Sequence, residues 1–119
     1  MPTGTKLTER SKGIRPWSEL NVKEKEVYAR MMEVYAGALS HADHQFGNII
    51  TAIDEMGELD NTLVIYIQGD NGASAEGSPD GLLNEMTFFN NIEVPFEEVY
   101  KRIDDLGGPM TFNHYPIGW

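Results

Sequence analysis

The residues best suited to chemistry are an aspartate and an asparagine in tandem, Asp70-Asn71, set between Gly69 and Gly72 just after the run Thr62-Leu-Val-Ile-Tyr-Ile67. A carboxylate followed by a carboxamide offers hard oxygen donors of the kind Ca²⁺ or Mg²⁺ prefers. The flanking glycines remove Cβ atoms that would crowd an ion or anion. The same letters also suit a type I′ turn, but residues 73–81 contain no run able to return as the partner strand of a hairpin. His41 and His44 stand at i and i+3 off the apolar face of a helix. They read as surface imidazoles, because two histidines do not complete a zinc site. His114, between Asn113 and Tyr115, reads either as a capping or packing residue or as a group on the rim of a substrate site. No Gly-x-Ser-x-Gly, phosphate-binding Gly-Lys loop or EF-hand spacing is present.

The elements that must hold these groups follow from periodicity. Tyr28, Met32, Tyr35, Leu39, Ala42, Phe46, Ile49, Ile53 and Met56 recur at steps of four and three, the stripe of one long helix starting near Asn21 or Val22 and stopped by Gly57. Gly37 and Gly47 inside it suggest close passage of another backbone. After a turn at Asp60-Asn61, residues 62–67 are β-branched or aromatic with almost no polar alternation, the pattern of a strand buried on both faces in a helix-covered sheet. No second run of that quality exists, so the other members of such a sheet are expected outside these residues. Residues 69–81 form a long glycine-rich loop at the strand's carboxyl end, where ligands of open α/β sheets bind. Beyond Pro95, Phe96, Val99, Tyr100, Ile103 and Leu106 lie on one face of a short helix closed by Gly107-Gly108-Pro109. Lys101 and Arg102 fall on its solvated side. Residues 1–16 read as an irregular lead-in.

Composition narrows the classes further. The chain has 119 residues, a net charge of −10 and no cysteine. A disulfide scaffold, an Fe–S cluster, a Cys-ligated zinc and a thiol nucleophile are therefore excluded. Residues 1–30 carry seven Lys/Arg against four Asp/Glu, whereas residues 31–119 carry two against 15. Most of the chain would repel a phosphate backbone, so nucleic acid is not an expected partner. The longest apolar run, 63–67, is far too short to span a bilayer, and the opening residues show no export signal.

Taken together, Leu59-Asp-Asn-Thr-Leu-Val-Ile-Tyr-Ile-Gln-Gly-Asp-Asn-Gly-Ala-Ser-Ala-Glu-Gly77, Ile103-Asp-Asp-Leu-Gly-Gly-Pro109, Asn113-His-Tyr-Pro116 and Gly118-Trp119 resemble a stretch of the arylsulfatases, type I sulfatases of the alkaline-phosphatase-like superfamily. The resemblance runs from Arg15-Pro-Trp17 onward. It implies an α/β fold, with residues 17–119 a partial sulfatase domain made of a long helix, a buried central strand, a metal-site loop and a short helix. By the same resemblance Asp70 and Asn71 supply part of a Ca²⁺ site. A sulfate ester is the substrate of the intact enzyme, and a formylglycine made from Cys/Ser-x-Pro-x-Arg is its nucleophile. Phosphatases of this superfamily usually place a histidine after the aspartate; Asn71 offers only oxygen and favours sulfate chemistry.

No such nucleophile motif occurs here, so the chain is expected to be a piece that depends on the remainder of the domain and is inactive alone. Relatives are often exported or periplasmic, and the compartment stays open. A non-catalytic helical interaction protein, packing its 28–56 stripe on a partner helix, is the alternative.

Overall fold

The computed structural model describes residues 3–6, 8–67, 69 and 75–117. One long helix, α1 (Val22–Glu55), dominates it, followed by two short ones, α2 (Met86–Phe89) and α3 (Phe96–Lys101). Single 3₁₀ turns lie at Trp17–Glu19, Leu59–Asn61, Ala75–Gly77 and Ile103–Asp105.

Local chemistry sets both ends of α1. Asn21 accepts a hydrogen bond from the Glu24 backbone N–H at 3.0 Å, and its own N–H donates to the Glu24 carboxylate at 2.8 Å, a complete capping box. Arg15 donates to the same carboxylate at 2.8 and 3.3 Å, tying the lead-in to the helix start. These donors hold the Glu24 carboxyl below its usual range, the arginine first and the Asn21 N–H second. At the far end Gly57 takes φ +72°, its N–H bonding Asp54 at 2.8 Å while the Glu58 N–H reaches Ile53 at 3.2 Å. That is a Schellman closure, and it requires the left-handed conformation that glycine adopts without strain.

Only the first turns of α1 are buried. Val27, Tyr28 and Met31 join Leu20, Leu83, Val99 and Leu106 in one core, with Val34, Phe96, Ile103 and Tyr115 packed around it. The segments 82–84 and 112–114 lie side by side at isolated bridges, Leu82 and His114 exchanging N–H···O bonds of 2.9 Å in both directions. Further along the helix, Leu39 (52% exposed), Ile49 (58%) and Met56 (67%) project bare. The radius of gyration is accordingly 18.6 Å, against about 13.5 Å for a globule of this length.

The expected strand is corrected by the structure. Residues 62–67 form no ladder and are exposed throughout, Leu63 at 84% and Ile67 at 86%. A strand buried on both faces needs hydrogen-bonded neighbours and a covering layer, and among the described residues nothing supplies either. The run meets α1 at Tyr66, whose ring makes an edge contact on Phe46, centroids 6.0 Å apart. The α/β architecture implied for these residues is therefore present here only as its helices.

Gly37 and Gly47 also differ from expectation, since a Cβ at either would meet nothing within 4 Å. Among the described residues no second backbone passes there. Each therefore carries the ordinary helix-interior penalty of glycine, and Gly47→Ala should raise stability by about 1 kcal/mol in chemical denaturation followed by circular dichroism.

Candidate functional site

Asp70 and Asn71 lie outside the described residues, and the site is defined by what anchors the chain just after them. The 3₁₀ turn 75–77 ends at Gly77, which is buried with the Tyr115 carbonyl and His114 ring packed where a Cβ would stand. Ser78 follows at φ +56°, its carbonyl accepting the Ile117 N–H at 3.0 Å. Gly81, at φ +78°, seats against Met31 of α1 and the His114 carbonyl. Residues 77–81 are thus clamped between α1 and the 112–117 segment by two glycine contacts.

A polar cluster completes the clamp. The buried Tyr28 hydroxyl donates to the Asp80 carboxylate, and Arg15 approaches the same carboxylate at 3.9 Å while paired to Glu24. Burial, and then the adjacent Asp80, push the Tyr28 phenol well above the usual tyrosine range, so it stays a donor at any physiological pH. This arrangement was not legible in the sequence. Tyr28 belongs to the apolar stripe and Asp80 to a Ser-Pro-Asp-Gly turn 52 residues away, and only a polar tip on an otherwise apolar stripe hinted at a partner. Tyr28→Phe should cost about 1–2 kcal/mol in urea unfolding, because it leaves the Asp80 carboxylate without its main donor.

On the outer side of the clamp, Asp80, Leu82, Phe88, Asn91, Ile92 and Glu93 border an open cavity of about 760 Å³. Asn91 there adopts φ +53°. His114 does not line it. Its ring is half-buried, with Nδ1 3.2 Å from the Tyr115 carbonyl and its centroid 4.7 Å from the Tyr115 ring. His41 and His44 are exposed on α1. Among the described residues, no group of three or more His, Asp or Glu is placed to hold a metal ion. Lys101 and Arg102 are exposed and pair with Glu98 and Asp105 at 2.6 and 2.9 Å.

The clamp fixes the chain at residues 77–81, and among the described residues no group of metal-ligating side chains completes a site there. The comparisons identify the family. Residues 3–103 match the Sulfatase family model, and the chain belongs to the sulfatase family. It is 35% identical, over 90% of its length, to an uncharacterized sulfatase of Schizosaccharomyces pombe, of which it covers 18%. It is 30% identical over 88% of its length to an arylsulfatase of Klebsiella aerogenes, covering 21% of that protein. Against an arylsulfatase of Clostridium perfringens it is 31% identical over 60% of its length, covering 15%. The chain thus spans about a fifth of the length of these relatives. No solved structure matches it.

Proposed function

We propose that this chain contributes the strand-end part of the active site of a sulfate ester hydrolase, with Asp70 and Asn71 as ligands of a Ca²⁺ ion. The support is the sulfatase match over residues 3–103, which spans both positions, together with the chemistry of the pair, two hard oxygen donors and no nitrogen. Their number is insufficient alone, since Ca²⁺ takes six to eight oxygens. The remaining ligands and the formylglycine nucleophile belong, in this reading, to the portion of a sulfatase domain that these 119 residues do not contain.

When bound, the cation would offset negative charge on the sulfate oxygens. This chain's own part is to supply the carboxylate and carboxamide a few residues upstream of a segment fixed by Gly77, Gly81 and the Tyr28–Asp80 hydrogen bond. Exclusion of water from the site would require the missing wall. A helical interaction protein has the bare stripe of α1 in its favour, but it gives no role to residues 69–81.

The test extends the reading frame on both sides. A Cys/Ser-x-Pro-x-Arg upstream, and calcium-dependent sulfate release from a chromogenic aryl sulfate by the extended protein, are the expected results. Absence of both the motif and the release would overturn the reading. For the 119-residue chain itself, isothermal calorimetry should show no saturable Ca²⁺ binding below about 1 mM.

A further inference from the structure

The hydrolase reading gives His114 no task, and the contacts of its ring supply one. Nδ1 lies 3.2 Å from the Tyr115 carbonyl oxygen. A carbonyl oxygen only accepts, so the nitrogen beside it must carry the proton, and in the neutral ring Nε2 is then the imine nitrogen. Gly77 meets the same oxygen. The Gly77 Cα hydrogen that stands where a Cβ would be is aimed at the Tyr115 carbonyl, a Cα–H···O contact, with His114 Nδ1 2.8 Å from that Cβ position. One acceptor thus joins the imidazole to the end of the turn 75–77.

We propose that His114 is a positioning residue, held in its Nδ1–H tautomer, which orients the Tyr115 carbonyl on Gly77 and so anchors the chain six residues after Asn71. The proposal rests on the reading of Asp70 and Asn71 as ligands of a divalent cation.

The frame around this oxygen is firm. The His114 N–H and carbonyl both pair with Leu82 at 2.9 Å, the Ile117 N–H donates to Ser78 at 3.0 Å, and the Tyr115 ring packs edge-on against Tyr35 of α1 with centroids 5.3 Å apart. A second proton, added at Nε2, leaves the Nδ1–H in place and preserves the seat. The Nε2–H tautomer would instead turn the Nδ1 lone pair on the carbonyl oxygen and repel it. Without the seat at residue 77, the next anchored position is Leu82, and the chain between Asn71 and its anchor lengthens from six residues to eleven. Near-doubling of a loop lowers the probability that it holds one place by about threefold.

Two measurements test this. On the 119-residue chain, a long-range ¹H–¹⁵N correlation of the imidazole at alkaline pH should show a protonated Nδ1 and an imine Nε2. The reverse assignment overturns the proposal. In the extended sulfatase, His114→Asn keeps an amide N–H where Nδ1–H was, whereas His114→Gln moves it to the place of Nε2. The Gln variant should need about threefold more calcium for half-maximal aryl sulfate release, the Asn variant should match the parent, and both should reach the parent's rate at saturating calcium. Equal calcium requirements in the two variants overturn the positioning role. So does a loss of rate at saturating calcium that is as large for Asn as for Gln. Calcium dependence that survives Asp70→Ala instead removes the ligand reading, and the positioning role with it, while the tautomer is still decided by the resonance measurement; the two failures are therefore distinguishable.

Discussion

Changing Asp70 to alanine in the extended sulfatase is expected to lower kcat/KM for aryl sulfate hydrolysis by about 10³-fold, equivalent to about 4 kcal/mol of transition-state stabilisation. Asp70 is the only formally charged member of the donor pair, and a hard divalent cation derives most of its affinity from carboxylates. Asp70→Asn retains the shape and one oxygen donor but removes the charge, so it should fall between the alanine variant and the parent. Added calcium should recover more of its activity than of the alanine variant's. Steady-state kinetics across a calcium series separates the two. An Asp70→Ala enzyme within about twofold of the parent at every calcium concentration would remove residue 70 from the metal site.

The largest loss of stability is expected from Gly77→Ala. The added Cβ would overlap the Tyr115 carbonyl oxygen and stand 2.8 Å from His114 Nδ1. Neither obstacle can yield cheaply, because His114 is bonded to Leu82 through both its N–H and its carbonyl. The turn would have to leave its seat, at a cost of about 3 kcal/mol. A chain whose core comprises about a dozen side chains has little reserve against such a loss. Urea denaturation should show an earlier midpoint, and the His114 ring proton resonances should shift even without urea. Gly81→Ala meets chiefly the flexible end of Met31, which can move, and stands 3.0 Å from the His114 carbonyl, a milder approach than at Gly77, but must also hold φ +78°. Its cost should come mainly from that backbone strain, about 1–2 kcal/mol. If Gly81→Ala proved the more damaging of the two, the rigidity assigned to the 114–115 backbone would be wrong.

How much of this was readable beforehand varies by element. The start and end of α1 were, because Asn21, Glu24 and Gly57 act on neighbours within five residues. The start of α3 after Pro95 was readable, and Val99 and Leu106 of the predicted apolar face are 1% exposed. The helix itself ends at Lys101, however, and Ile103–Asp105 is a separate 3₁₀ turn rather than its continuation to Gly107. Helix α2 was not readable: Met86–Phe89 is one turn long, too short for a period to show. The stripe of α1 named Tyr28 of the buried face but not Val27 and Met31, which are buried beside it, whereas its members Met32, Tyr35, Leu39, Ile49 and Met56 are exposed.

By itself the sequence determined everything that acts over a turn of helix or a few residues: the caps and span of α1, the family to which the 59–77 motif belongs, and the absence of thiol chemistry. Tertiary structure alone decided that residues 62–67 pair with no other described segment, that Tyr28 reaches Asp80, and that Gly77, Gly81 and Gly107, rather than Gly37 and Gly47, are glycines against which other groups pack. The difference is physical. Capping and periodicity are satisfied within one segment, whereas burial of a strand or a glycine is a property of the neighbour that arrives, and no residue encodes its neighbour's presence.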